Sequence, residues 1–376
     1  MKPLVQKVTT PVGDPAWLVQ DYNMVRALLK DPRLWRSHAD PDNAPRLSST
    51  SIFGGALPTT PTERADHTRM RHALAPLFAG RRMAEMRDRV REQVSGLLDR
   101  LEDEGSPGDL HGSLSAPLHV LASCALLGVP DSDHAAVGGW SDDVACLDDP
   151  ERSMAGWTGL WEYMLALVED KRRAPTQDAL SDLMETYAKE PDAAQQVAEL
   201  GAQMFAGHST VVAAIDEGTL MLLVDRERWD VVRDRPEQLP SAVEEILRLC
   251  LPTPSPDATT GSGLPRWATE DFEVAGTAIG KGDLVLLDLQ AANQDGTRFP
   301  DPGEFDPRRV DNPHVTFGHG TTLCIGRPLA RIELQEVFSG LPRRFPDLRL
   351  DGDVEKLTHR DDSVVGGLTE LPVRWG

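Results

Sequence analysis

Cysteine is scarce in this chain: four residues in 376, at Cys124, Cys146, Cys250 and Cys324, far apart and with no CxxC spacing. That arrangement argues against a zinc site or a disulfide framework and fits a reducing compartment. Aromatic residues are only 5% of the chain, so no aromatic cage is suggested. No uninterrupted apolar run reaches membrane-spanning length, and the first residues, MKPLVQKVTTPVGDPAW, are polar and broken by prolines, unlike a signal peptide. Positive charge is also short: 39 basic against 60 acidic residues leave a formal net charge of −21. That balance disfavours nonspecific binding to nucleic acid or to an anionic membrane. Linkers, charge blocks and internal repeats are missing too. The expectation is one large soluble domain over residues 1–376, cytoplasmic, with no nucleic-acid or membrane partner.

What is present is helical periodicity. MAEMRDRVREQVSGLLDRLED (83–103) places Met86, Val90, Val94, Leu97 and Leu101 at spacings of three and four, a long amphipathic helix. Residues 114–127 are almost all apolar or small and predict a helix buried on most sides. Further helices are expected near 153–172, 178–187, 192–224, 227–234 and 238–250. The texture then changes. LPTPSPDATTGSGLP (251–265) carries too many prolines and glycines for regular structure, and 272–293 reads as short strands joined by Gly turns. The fold class is mainly α with a small β part toward the C-terminus. Basic residues cluster at Arg69, Arg71, Arg81, Arg82, Arg327 and Arg331, as a docking face or simply a solvated surface.

The stretch FGHGTTLCIGRPLAR (317–331) sets Cys324 among glycines and runs into a helix. Pro328 suits the first helical turn, and Leu329, Ile332, Val337, Phe338 and Leu341 continue one face. Backbone N–H groups and the helix dipole would stabilise a thiolate there. Gly318, Gly320 and Gly326 would let the chain turn tightly beside something flat and large. The full pattern, Phe-Gly-x-Gly-x-x-x-Cys-x-Gly followed by a helix, resembles the haem-binding loop of the cytochrome P450 family.

Further marks of that family occur in order. Glu245 and Arg248 in AVEEILRL form an ExxR pair on one helix face, which in the family packs behind the cysteine loop. MFAGHSTVVAAID (204–216) resembles the central-helix motif, with Ala206, Gly207 and Thr210. His67 and Arg71 in DHTRMR, Arg266 at the start of a strand and His319 in the cysteine loop match the positions that anchor the haem propionates. The resemblance spans nearly the whole chain and implies a cytochrome P450 fold, one large haem-binding domain, with haem b as cofactor. It makes Cys324 the axial iron ligand, where a thiolate favours O–O cleavage. Phe317, Gly318 and Gly326 would lie against the cofactor, and Ala206 and Gly207 at a kink that admits dioxygen. Thr210 would assist protonation.

The chain departs from the family pattern at named positions. Ser209 stands where the acid before the threonine is usual, and a hydroxyl relays a proton without carrying charge. Thr322 replaces a His often found two residues before the cysteine. Glu304 replaces an arginine, so Arg308 or Arg309 would complete the Glu245–Arg248 network. The segment between Arg248 and Arg266 is long. The implied activity is monooxygenation of a small-molecule substrate with dioxygen, plausible in bacterial secondary metabolism, with electrons from a ferredoxin or flavodoxin and its reductase. The basic cluster would dock that partner through Arg69 or Arg331. Rival readings are oxidative coupling, ring formation or peroxide-driven oxidation, then a non-catalytic helper or a haem sensor. Substrate contacts are expected in 47–60, 140–155, 251–263 and 364–369.

Overall fold

The structure is a computed structural model that describes residues 4–50, 54–146, 148–250, 262–360 and 366–376. Helices dominate it. After α1 (Tyr22–Leu28) come α2 (Glu63–Leu74), α3 (Gly80–Glu104) and α4 (Ala116–Leu127). The spacing read along α3 is the face that is buried: Met83, Met86, Val90, Val94, Leu97, Leu98 and Leu101 all point inward. Helices α5 (His134–Val144), α6 (Pro150–Arg173) and α7 (Ala179–Thr186) follow, the last two started by Asp149 and Asp178 accepting from backbone N–H groups.

The stretch expected as one helix over 192–224 is interrupted. It forms α8 (Ala193–Gln203), a tighter 3-10 turn over Met204–Gly207, and α9 (His208–Leu223). Two observations account for the break: Thr210 Oγ1 donates to Gly207 O at 2.7 Å, and Gly207 carries a high helical cost. Beyond the bend α9 is buried almost all round, as a central helix should be. It approaches its neighbours so closely that a Cβ on Gly218 would lie 2.7 Å from Ile246 and 2.8 Å from Phe338. Those residues belong to α11 (Leu239–Leu249), which follows α10 (Arg226–Asp234), and to α13 (Arg327–Arg344), with α12 (Leu289–Asn293) between α11 and α13 in sequence.

A five-stranded sheet is built from both ends of the chain, in the order β1 (Val5–Thr9), β2 (Pro15–Val19), β7 (Leu284–Leu287), β4 (Leu264–Ala268), β3 (Leu34–Trp35). A hairpin of β5 (Phe272–Val274) and β6 (Thr277–Ile279) joins β4 to β7. Two expectations are corrected here. Leu264 and Pro265, read as irregular, open strand β4, because their partners Leu287 and Leu286 in β7 supply the pairing that local composition does not. Residues 289–293, read as strand, form α12, because Asp288 accepts from Ala291 N–H at 2.9 Å and caps a helix. Most of the Pro- and Gly-rich stretch, 251–261, lies outside the described residues.

The register of β4 positions the site. Trp35 pairs with Trp267 and Leu34 with Ala268 in an antiparallel ladder. The ladder ends there: Arg36 turns away, its carbonyl accepting from Leu57 N–H at 2.9 Å, but its charge still acts on Arg266 and His67.

Candidate functional site

The cysteine loop is held by its own backbone. Cys324 N–H donates to Phe317 O at 2.8 Å, and Gly318 N–H to Val315 O at 2.7 Å. Gly318 and Gly320 take φ of 72° and 76°, the left-handed region that favours glycine. Gly326 does not: its φ is −74°, and it caps α13. Its contribution is an N–H aimed, with that of Arg327, at the Cys324 sulfur.

Cys324 is open on one side although protein packs round the rest. Burial pushes its thiol up. The N–H groups of Gly326 and Arg327 and the charges of Arg71 and Arg327 pull it down without winning. The helix N-terminus thus supports a thiolate but does not create one, and an electropositive metal is what would deprotonate this thiol outright.

Around the loop the structure gathers positive charge. His67 and Arg71 lie one turn apart on α2. Arg71 donates to Leu323 O at 2.7 Å, tying α2 to the residue before the cysteine. Arg266 is buried, donates to Pro265 O at 2.7 Å and reaches Thr322 Oγ1 at 3.4 Å. Thr322, where a second anchoring His was expected, therefore helps to orient Arg266. His319 is in the same loop, with its Nε2 buried and lacking a partner among the described residues.

Sequence reasoning missed one member, Arg36, whose buried Nε also lacks a partner. No motif marks it, since only the pairing of β3 with β4 brings the residue after Trp35 near Arg266.

These cations are costly as they stand. Burial, followed by the charge of Arg36, pulls Arg266 down to about 10. Burial and the charges of Arg36, Arg71 and Arg266 pull His67 down to about 4. Burial likewise lowers His319, helped by Lys30 and Arg26. Three guanidiniums and the imidazole of His67, collected without an ion pair among the described residues, form a cradle for carboxylates, whereas the charges that act on His319 are Lys30 and Arg26. That donor set, beside an open thiol, fits a haem.

Behind the loop, Glu245 and Arg248 are fully buried and paired at 2.7 and 2.9 Å. The choice between Arg308 and Arg309 is settled by geometry: Arg309 Nε reaches Glu245 Oε1 at 3.1 Å, whereas Arg308 pairs with Asp306. Glu304 takes part only through its carbonyl, which accepts from Arg248 at 3.1 Å. The basic cluster is largely neutralised: Arg331 makes a two-pronged pair with Glu244 at 2.7 Å, Arg69 pairs with Asp66 and Glu190, Arg81 with Glu85, and Arg82 with Asp182.

At the bend, Ala206 and Thr210 are exposed and four residues apart, so they share one open face. Ser209 is half-buried and points elsewhere, into a polar cavity. A groove of about 780 Å³ between the ends of α6, α7 and α8 is lined by residues such as Lys171, Arg172 and Asp182 and by none of the site residues. Residues 51–53, 147, 251–261 and 364–365 of the expected substrate contacts lie outside the described residues.

A chain with a cysteine loop before a helix, a buried ExxR pair and a bent central helix has the architecture of a haem-thiolate oxygenase. Known proteins agree. The family model described as Cytochrome P450 matches residues 233–368. Pentalenolactone synthase of Streptomyces exfoliatus is 38% identical over 96% of this chain and 90% of its own length. Mycinamicin IV hydroxylase/epoxidase of Micromonospora griseorubida is 34% identical over 99% of this chain and 92% of its own. The solved structure of cytochrome P450 PimD, a pimaricin epoxidase, superposes with a TM-score of 0.88 at 36% identity, covering 100% of this chain and 93% of that one. The chain belongs to the cytochrome P450 family. It is a monooxygenase with a haem-iron cofactor, working with a substrate, dioxygen and redox partners. Among the described residues no helix is long and apolar enough to cross a membrane.

Proposed function

We propose that the protein inserts an oxygen atom into a small organic molecule of bacterial secondary metabolism, using haem b ligated by Cys324 and electrons from a ferredoxin or flavodoxin with its reductase, in the cytoplasm. The observation that carries this reading is the cradle of Arg36, Arg71, Arg266 and His67 beside the open thiol of Cys324. The names of the relatives, a hydroxylase/epoxidase and an epoxidase among them, support oxygen insertion over coupling.

In this reading the haem supplies dioxygen chemistry at iron, and a thiolate ligand favours O–O cleavage. Cys324 is oriented for that role by the N–H groups of Gly326 and Arg327, while Phe317 and Gly318 close the loop beneath. Arg71, Arg266, His67 and His319, joined by Arg36, bind the propionates and so fix the ring. The bend at Ala206 and Gly207 leaves the face beside Thr210 open. Thr210 spends its O–H on Gly207 O, leaving its oxygen lone pairs to accept.

The test is a spectrum of the reduced, carbon-monoxide-bound protein, compared with Cys324→His, followed by a screen of compounds for a spin-state shift. Thiolate ligation in the parent, lost in the variant, is expected. A parent spectrum typical of His ligation, or no haem bound, would overturn the assignment.

A further inference from the structure

Helix α4 is apolar on nearly every side, yet it carries His119 and Ser123 one turn apart, both buried. Buried polar side chains need their hydrogen bonds made. His119 finds its partner on another element: Nδ1 lies 3.0 and 3.2 Å from the two carboxylate oxygens of Glu333 on α13. The Glu333 side chain is 0% exposed, and His119 is its only ion-pair partner among the described residues. At the other ring nitrogen, Ser123 Oγ lies 3.3 Å from Nε2.

The far edge of that ring faces the bend in the central helix. A Cβ on Gly207 would meet His119 Nε2 at 3.4 Å and Cε1 at 3.6 Å, and no further atom of another element within 4 Å among the described residues. The gap between ring and backbone therefore admits a methyl group and nothing larger. Gly207 O accepts from Thr210 Oγ1 at 2.7 Å, so the residue that His119 walls in also holds Thr210. One imidazole thus stands between the helix that follows Cys324 and the bend that carries Thr210. Stability is a poor account of the pair, because apolar residues of similar volume often replace a buried ion pair without loss. What the pair supplies is orientation. Bonded at Nδ1 to a carboxylate and at Nε2 to a hydroxyl, the ring has one plane and its edge one position.

We propose that His119, oriented by Glu333, is a positioning residue that fixes the bend of the central helix against the helix that follows Cys324, and so sets where Thr210 stands. With the ring edge removed, the space behind Gly207 opens. The 3-10 turn over Met204–Gly207 then relaxes toward the regular helix on either side of it. Glu333 acts through the ring, by holding its plane.

The inference rests on the monooxygenase reading for the use of Thr210, but the bend itself can be followed without haem. In His119→Asn the amide N–H stands where Nδ1–H was, so the bond to Glu333 is kept and only the far edge of the ring is lost. Amide hydrogens of residues 204–210 in the haem-free variant should exchange about tenfold faster than in the parent, as a locally loosened segment does. In the reduced, carbon-monoxide-bound holoprotein the C–O stretching band should shift and broaden, while the visible spectrum still reports a thiolate. A second variant separates positioning from packing. His119→Leu combined with Glu333→Met should keep or raise the melting temperature, and yet show the same faster exchange and altered band. A purely structural role would leave both readouts alone once stability is kept. Should His119→Asn fail to fold, the apolar pair decides alone. Either readout left as in the parent, in a folded variant, overturns the positioning role. A parent without a thiolate spectrum would instead overturn the monooxygenase reading, and the haem-free exchange result would still stand.

Discussion

The imidazole of His67 records what the cradle lacks. Its pKa falls from an ordinary 6.5 to about 4, through burial first and then through Arg36, Arg71 and Arg266. Between those values the unfolded chain binds more protons than the folded one, so stability rises with pH across that window and is lost as pH falls through it. Haem-free protein should therefore lose melting temperature steadily from pH 6.5 down to 4. His67→Gln should flatten that slope, and so should haem, whose propionates cancel the crowding of positive charge. Melting curves with and without haem test this, and equal slopes in all three samples would remove the electrostatic explanation. Arg36 belongs to the same account. A charged hydrogen bond is worth about 1.5–3 kcal/mol, so Arg36→Leu should speed haem transfer to an acceptor protein by roughly ten- to a hundredfold. Cys324, His67, Arg71, Arg266 and His319 were singled out because the stretches around them resemble family motifs, and the first four come close together in the structure. Arg36 was not, because it joins the others only through strand pairing across more than two hundred residues of chain.

Among the elements, α11 and α13 set the cost of error. Glu245 accepts from both prongs of Arg248, from Arg309, from Asn312 and from the Asp306 N–H, all while fully buried. Removing one member of a buried pair leaves the rest uncompensated and costs about 3–5 kcal/mol. Glu245→Ala should lose that much in chemical unfolding, and Arg309→Ala, which leaves Glu245 still paired with Arg248, clearly less. If the two lose equal stability, the network is not centred on Glu245. Gly218→Val adds carbon where Ile246 and Phe338 already leave no room. Overpacking of this kind costs about 1–3 kcal/mol, and the melting temperature should fall accordingly with the haem spectrum retained. The helices were readable because periodicity is a local signal, and α3 buries the residues its spacing marked. The bend was readable too, from Gly207 and Thr210. The strand at Leu264 and the helix at Leu289 were not, because pairing to β7 and the cap at Asp288 outweigh composition in each case.

For the whole molecule, a net charge of −21 poses a problem of approach. An acidic ferredoxin is repelled by most of this surface, so it needs a local positive area close to the iron ligand. The arginines picked out along the chain look like such an area, but most are paired. Charge reversal at Arg331 would set a carboxylate against Glu244, whose acidity is held at about 2 against the pull of burial by Arg331 and His314, so that variant reports on packing rather than docking. Arg327 is different. It is exposed, it opens α13, and its backbone N–H points at the Cys324 sulfur. Arg327→Glu should slow reduction by ferredoxin by roughly three- to tenfold at low salt, part of the ten- to thousandfold that steering fields supply. The deficit should close as ionic strength shortens the screening length to about 8 Å near physiological salt. Arg327→Gln, which removes the charge without reversing it, should fall between the two. A deficit that persists at high salt would mean that the residue acts on the sulfur beneath it and not on the partner.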